Sequence, residues 1–515
     1  MNLLEKTIAT VAPGMALKRL GNKKKLEILN TGYSNHGANT FKKSMLGWLY
    51  KGGSVKQDIY KNRSILVQRS RDLYMGAPLA TGAIKTIATN VVGSGLKLKP
   101  TLDFETLGMT RENSQVLQNK IEKEFNYWSN CKIDQQGVLN FYQLQELVFL
   151  TTLLNGECFI KLNYFETPLN PYLLKLQIIE PDRIFTPQGK EKEYTEGVKF
   201  DSNGRIESYR ISNKHPLDSE FTGKEEIKEE KIYGDSGQLN LIHVLFTERP
   251  EQVRGVPILA PIIECMKQLD RYTEAELVAA VVSGLYAVFI ETDGAENGEF
   301  GEPPISEEEQ VDSQDERSLE LSPGLAMQLN PGEKVVSTDP GRPNTAFDPF
   351  VTAILRQIGS ALEVPYELLL KHFSASYSAS RAALLEAWKM FRKRREWFVS
   401  NFTQPVYEEF LREGYLNGRL ELRGFDEDVM IRKAYAQSQW NGPAQGSIDP
   451  KKEAEASVIK INNGLSTRTK ETAELNGGSF EQNVQLLAYE NELLVKNNVF
   501  LKDTIIEKEV ESGQE

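Results

Sequence analysis

Cysteine and histidine are scarce in this 515-residue chain. The three cysteines, Cys131, Cys158 and Cys265, lie far apart without metal-ligand spacing. An odd, sparse set argues against a disulfide scaffold and fits a reducing compartment. The four histidines, His36, His215, His243 and His372, never pair at ligand spacing, and there is no His-Glu-x-x-His. A structural metal or a Ser-His-Asp triad therefore has little to build on. No Gly-x-x-x-x-Gly-Lys-Ser/Thr loop is present, which excludes the usual nucleotide-driven motor. Gly93-Ser-Gly95 is a fragment of a dinucleotide fingerprint, but it follows a helical pattern and reads better as a turn. Long apolar runs are missing too. Leu277 to Ile290 is the longest uncharged one, short of the ~18–20 residues that a membrane span needs. The first residues, Met-Asn-Leu-Leu-Glu-Lys, are too charged for a signal core. The expectation is a protein that is not an enzyme, needs no cofactor or metal, and meets no membrane.

What is present is charge, and it is segregated. The formal net charge is −11. Residues 1–99 nevertheless hold 17 Lys+Arg against 4 Asp+Glu, and 291–320 hold 12 acidic residues against Arg317 alone. From Lys371 to Arg395 seven basic residues stand against Glu386. Separate blocks of opposite sign present different faces to different partners. The run Arg392-Lys-Arg-Arg395 lies mid-helix and spans about 300° of its circumference, so only a subset faces any one partner. That subset reads either as a solvated, salt-bridged face or as a contact to nucleic-acid phosphate. The acidic lobe is either solvated, docked on a basic partner, or a phosphate-repelling wall.

Periodicity gives a mixed α+β chain of about three domains or segments. Helices are expected over 77–92, 111–129 and 140–154. Strands are expected at Leu96–Lys99, Glu157–Leu162, Leu173–Ile179 and Leu241–Phe246, with a hairpin over Val198–Ile211 turning at Asp201-Ser-Asn-Gly204. A long helix follows Pro257 to about Ser283, then a strand at Tyr286–Glu291. Strands at Leu325–Leu329 and Lys334–Ser337 flank the turn Asn330-Pro-Gly332. Phe347–Leu362 is helical until Val364-Pro365. His372–Ser380 reads as a Ser/Ala loop. A long helix begins near Ser380, with Pro405 as a kink.

Several blocks, in order, resemble the lambda-type phage portal family. They are Arg69-Ser-Arg71-Asp-Leu with Ala77-Pro-Leu-Ala-Thr-Gly-Ala-Ile84 and Asn90 to Gly95; Trp128 with Phe141 to Ile160; and Glu180-Pro-Asp-Arg-Ile184. The most specific is Arg249-Pro-Glu-Gln-Val-Arg254-Gly-Val-Pro257. Ser376 to Ala383 and Asp449 to Thr467 complete the series, which covers roughly residues 63–480. The resemblance implies a ring-forming oligomer of about twelve subunits at one capsid vertex of a virion, assembled in the bacterial cytoplasm. Double-stranded DNA is packaged through that ring by terminase and later ejected; a head–tail connector, or adaptor, attaches to it, and major capsid and scaffold proteins surround it. It also implies a portal fold with an α/β wing, a two-helix stem, a small α/β clip, a long helix and a helical crown. Carried onto this chain, a basic arm (1–62) precedes the wing (63–255), a stem helix (256–285) and the clip (286–346). A second stem helix (347–366), a tunnel loop (367–380), the long helix and its wing connection (381–446), and the crown with its tail (447–515) follow. The tunnel loop would bring Lys371, His372, Ser374, Ser376, Tyr377 and Ser378 to DNA. The clip would offer Glu307, Glu308, Glu309, Asp312, Asp315 and Glu316 to terminase or adaptor. Another head–tail adaptor or nucleic-acid-binding assembly protein is the rival reading, and adaptors are normally much shorter.

Overall fold

The computed structural model describes residues 52–284, 288–292, 333–337, 344–373, 376–445 and 449–497, with short pieces of the first fifty residues and residue 499. By contacts the chain forms two units, Met1–Lys61 and Asn62–Glu515. In chain order the elements are α1 (Lys61–Gly76), α2 (Pro78–Val91), β1 (Lys97–Pro100), α3 (Arg111–Asn130), α4 (Phe141–Asn155), β2 (Glu157–Tyr164), β3 (Leu174–Ile179), β4 (Val198–Phe200), β5 (Ile206–Ser212), β6 (Ile227–Lys231) and β7 (Leu241–Leu245). They continue with α5 (Ile263–Gly284), β8 (Val288–Thr292), β9 (Glu333–Ser337), α6 (Phe347–Leu362), α7 (Tyr366–Leu370), α8 (Tyr377–Phe398), α9 (Gln404–Leu416), α10 (Val429–Ala436), β10 (Ser438–Asn441), α11 (Pro450–Asn462), α12 (Arg468–Asn476) and α13 (Phe480–Lys496). The fold is α+β, as the sequence indicates.

Local chemistry explains the sharpest boundaries. Thr110 caps α3 by accepting from the Asn113 amide at 3.3 Å. Asn140 and Gln143 form a reciprocal capping box on α4, at 2.9 and 3.0 Å, which satisfies two amides that the first turn leaves free. Gly156, at φ +83°, ends α4 in a left-handed cap and turns the chain straight into β2. β2 is the centre of an antiparallel sheet of order β3-β2-β7. Its register aligns Leu162 with Leu176 and Cys158 with Val244. Against one side of this sheet stands an aromatic core from α3, α4 and α9. The ring centroids of Phe125 and Phe410 are 5.1 Å apart, and those of Trp128 and Phe141 5.3 Å. The buried Trp128 indole donates to the Leu174 carbonyl at 3.3 Å. β1 pairs with β10, tying residues 97–100 to 438–441.

Three sequence expectations need correction. The helix expected from Pro257 starts only at Ile263, after a 3₁₀ turn at Ala260–Ile262. Pro257 and Pro261 withhold amides there, and the Ile258 amide donates instead to Leu153 at 3.1 Å. The loop expected over His372–Ser380 is shorter, because α8 begins at Tyr377 with Ser376 as its N-cap residue. A short helix, α7, also precedes it. The irregularity expected at Pro405 lies just before it, as a π-helical turn at Val399–Thr403, and Pro405 follows in the first turn of α9. The expected hairpin β4–β5 is present, with its turn at Asp201–Gly204, and a third strand, β6, pairs with β5. Residues 293–332, which include the acidic lobe, the strand Leu325–Leu329 and its turn, lie outside the described residues. The strands on either side, β8 and β9, pair antiparallel from Val288↔Ser337 to Thr292↔Glu333.

Candidate functional site

The most elaborate polar arrangement in the described residues surrounds Glu157, the first residue of β2. Its side chain is fully buried. One carboxylate oxygen accepts from Arg63 at 2.5 Å and from Arg254 at 2.8 Å; the other accepts from the Gly255 amide at 2.9 Å and from His243 at 3.1 Å. Burial alone would raise the Glu157 carboxyl, but the two guanidinium groups and His243 hold it well below the ordinary range. His243 is itself lowered, chiefly by burial. Its Nδ1 lies 3.0 Å from the Tyr209 hydroxyl. The ionised Glu157 can only accept, so Nε2 carries the proton, and in the neutral ring Nδ1 then accepts from the Tyr209 hydroxyl.

Arg254 completes the joint. Besides Glu157 it donates to the carbonyls of Pro181 at 2.9 Å, Ile184 at 2.9 Å and Glu196 at 2.6 Å. Arg71 works on the other side of the same segment. It donates to Asn155 at 2.8 Å, pairs with Glu180 at 3.2 Å, and also binds Asp182. The backbones of Gly156 and Gly255 meet so closely that a Cβ on Gly255 would lie 2.2 Å from the Gly156 carbonyl oxygen. Only glycine fits that crossing. The joint therefore clamps α1, the α4–β2 turn, the segment 180–184 and the strand end leading to α5. Sequence reading quoted Arg71, Gly156-Glu157, the segment 180–184 and Arg254-Gly255 as separate blocks and assigned none of them a role. Arg63 was missed, and His243 was read only as one of four histidines without a ligand partner; no local signal joins them to Glu157.

Among the described residues, Glu180, Asp182 and His215 place one ligand atom each within 4.8 Å of one another. Arg71 already sits on both carboxylates, so a guanidinium meets the charge there.

Beyond the joint, α5 and α6 run together to the β8–β9 pair. Tyr272 stacks on Phe347 at 5.6 Å and meets Phe350 edge-on at 5.1 Å. Leu277, Val278, Val281 and Phe350 are more than half exposed. Together they make an exposed apolar flank on the paired helices among the described residues. α6 ends at Glu363 in a left-handed cap, and α7 ends at Lys371, also left-handed at φ +54°. Lys371 and His372 are exposed, and the His372 amide bonds back to the Glu367 carbonyl at 3.0 Å. Ser376 and Ser378 are exposed at the start of α8, whose first residue is Tyr377. Ser374 lies outside the described residues, as do Glu307, Glu308, Glu309, Asp312, Asp315 and Glu316.

The basic run on α8 divides as helical geometry demands. Arg395 turns inward and donates to the carbonyls of Asn90, Val91 and Pro443 at 2.8–2.9 Å. Burial pulls its guanidinium down to about 10. Arg394 lies 5.9 Å from the Phe246 ring, and Arg392 reaches Glu474 at 3.5 Å. The contacts of Arg392, Arg394 and Arg395 fit the salt-bridged, structural reading, and Lys393 is exposed.

Residues 41–395 match the family model for the phage portal protein, lambda family. The chain belongs to that family. The lambda-family chain is 25% identical to the portal protein of Escherichia phage N15 over 463 residues, covering 85% of this chain and 86% of that one. It is also 25% identical to portal protein B of Escherichia phage lambda, covering 85% of each. With the probable portal protein of Halomonas phage phiHAP-1 it shares 25% over 434 residues, 82% of this chain and 78% of that one. Among solved structures, a chain from the virion of a native gene transfer agent particle aligns with TM-score 0.41 and 13% identity, covering 80% of this chain and 93% of that one. A chain from the neck of that particle, computed with C12 symmetry, aligns with TM-score 0.40 and 14% identity, covering 81% and 99%. No helix among the described residues is long and apolar enough to cross a membrane.

Proposed function

We propose that this chain is the portal subunit of a tailed phage or prophage. About twelve copies close into a ring at one capsid vertex of the virion. Double-stranded DNA enters through it, driven by the terminase large subunit, and leaves by the same route. A head–tail connector then seats on the ring, and capsid and scaffold proteins contact its rim. The observation that carries this reading is membership of the family across residues 41–395. The α5–α6 pair supports it: its apolar flank is exposed among the described residues, and a ring of copies supplies a cover. Passage is passive in this reading. The residues of the central joint hold one another, so the energy for moving DNA comes from the partner motor.

Within the ring we place the turn after α7 nearest the DNA, with Lys371 and His372 exposed on it and Ser374, Ser376, Tyr377 and Ser378 following. The acidic residues Glu307, Glu308, Glu309, Asp312, Asp315 and Glu316 take the docking role for terminase or adaptor. The primary test is the mass and image of purified assemblies: a closed ring with a central hole is expected, and a monomer or dimer under assembly conditions would overturn the reading. Nucleotide hydrolysis by purified rings would revive an enzyme. The double change Lys371→Ser, His372→Ser should spare the ring and reduce packaging or retention of full-length DNA. Normal packaging would remove this turn from the channel. Replacing Glu307, Glu308 and Glu309 by glutamine should weaken terminase docking at low salt, where exposed charges are least screened.

A further inference from the structure

One edge of the central sheet is only partly used. The odd residues of β3 face β2: the Leu173 carbonyl, just before β3, accepts from the Phe165 amide at 3.1 Å. The even residues therefore direct their amides and carbonyls outward. The Leu174 amide donates to Glu413 at 3.0 Å, and its carbonyl accepts the Trp128 indole. The Leu176 amide donates to the Ile133 carbonyl at 2.8 Å, and its carbonyl accepts the Gln135 amide at 3.0 Å. At Asp134 the covering segment turns away, its carboxylate holding the Val138 and Leu139 amides at 2.6 and 2.7 Å. Ile178 is next in the outward series, and among the described residues nothing covers its amide and carbonyl on that side.

Beside this open edge lies a groove of about 390 Å³. Its far wall is one stripe of α4: Leu144, Leu147, Thr151 and Asn155. From Leu144 to Asn155 that stripe runs roughly 16 Å, at 1.5 Å per residue. An extended segment of about five residues, at roughly 3.3 Å each, has the same length. The floor is apolar, and Leu147 is 38% exposed at its mouth. The charged groups of the rim are already engaged: Asp134 as above, Glu180 with Arg71, and Arg183 with the Ser212 carbonyl at 2.7 Å. The rest of the polar rim is amide, from Gln135, Gln136 and Gln177.

We propose that this groove binds an extended, uncharged, aliphatic peptide segment of a partner protein, which adds as a strand at Ile178 and lays one side chain against Leu147. A strand edge facing a helix offers both elements of strand addition: main-chain hydrogen bonds for affinity and a pocket for alternate side chains. The occupant is uncharged because each charged group of the rim already has a counterpart within this chain.

The probe is acetyl-Thr-Val-Ile-Val-Thr-amide, added to the full-length protein. Binding on the order of 1 mM or tighter is expected, with slowed hydrogen exchange at Ile178. A copy of the peptide N-methylated at its central residues should bind at least about tenfold more weakly, because it cannot complete the ladder. Leu147→Glu should weaken the parent peptide by a similar factor while leaving the thermal transition in place. If that variant fails to fold, Ile178→Pro serves, since it removes the outward amide and leaves the hydrogen bonds to β2 in place. Three results would overturn the proposal: no binding; equal binding of the N-methylated peptide, which means apolar adhesion alone; or self-association abolished by Leu147→Glu, which assigns the groove to a second copy.

Discussion

Replacing Glu157 by glutamine tests the central joint directly. The substitution keeps the shape and removes the negative charge. It leaves Arg63 and Arg254 buried without a counter-ion, and turns an acceptor of four hydrogen bonds into a group that must present an NH₂ to donors. Breaking a buried pair from one side costs about 3–5 kcal/mol. The whole stability of a domain is only about 5–15 kcal/mol, so the variant should fold yet be visibly weakened. At roughly 2–4 °C per kcal/mol, the figure for a cooperative unit of about 150–250 residues, the transition should fall by roughly 6–20 °C. Urea unfolding of unassembled protein measures it without the complication of ring dissociation.

The decisive control is a second change. Arg63→Met in the Glu157→Gln background removes one of the two stranded cations, so it should restore at least about 1 kcal/mol rather than add to the loss. Arg254 is the wrong partner for this control, because it also serves three carbonyls and its removal would strand them. If Glu157→Gln lies within about 1 kcal/mol of the parent, or if the two changes simply add, the joint does not hold the sheet to the α5 helix as described.

Gly156→Ala should be worse than about 4 kcal/mol, because its Cβ would lie 2.2 Å from the Val256 nitrogen and its φ is +83°. Gly418→Ala, also at positive φ but with nothing within 4 Å, should cost only about 1 kcal/mol by comparison; equal melting losses would refute the close crossing. His243 is lowered by burial, so the unfolded chain binds its proton first as pH falls. Stability is then full above the unfolded value of about 6.5 and declines as pH drops from there toward the folded one. His243→Phe should flatten that slope in urea titrations between neutral and mildly acid pH. Arg395→Met should lower the melting temperature and leave the salt dependence of DNA retention unchanged, since its guanidinium is spent on three carbonyls; a shallower salt slope would put it on DNA after all.

Much of the secondary structure is legible because it rests on local patterns. Phe347–Leu362 has a strong apolar period and is stopped by Val364-Pro365, and the helix has those bounds. The elements that escape reading are those where tertiary contact overrides pattern. Ile227-Lys-Glu-Glu-Lys231 shows no apolar alternation, because β6 is an exposed edge strand held by β5 and by pairs such as Lys161 with Glu230. Val256 to Ile262 has the composition of a helix start, but the Gly156–Gly255 crossing and two prolines hold it otherwise. The π turn at 399–403 has no sequence mark that distinguishes it from the helices on either side.

The joint was illegible for a sharper reason. Glu157 lies 94 residues from Arg63 and 97 from Arg254, so nothing local says that this carboxylate is buried and those cations with it. Yet the family resemblance already ran through it. Arg71, Gly156-Glu157, the segment 180–184 and Arg254-Gly255 are scattered along the chain and converge on one place. Their spacing in sequence is the trace of one backbone crossing and the charges that clamp it. The residues proposed to meet DNA are of another kind. Lys371 and His372 sit on an exposed turn after a left-handed cap, where many side chains would fit equally well. Four of the blocks that identify the chain therefore mark what holds α5 to the sheet, whereas the turn proposed to face DNA needs only to stay open, which the packing of a single subunit does not dictate.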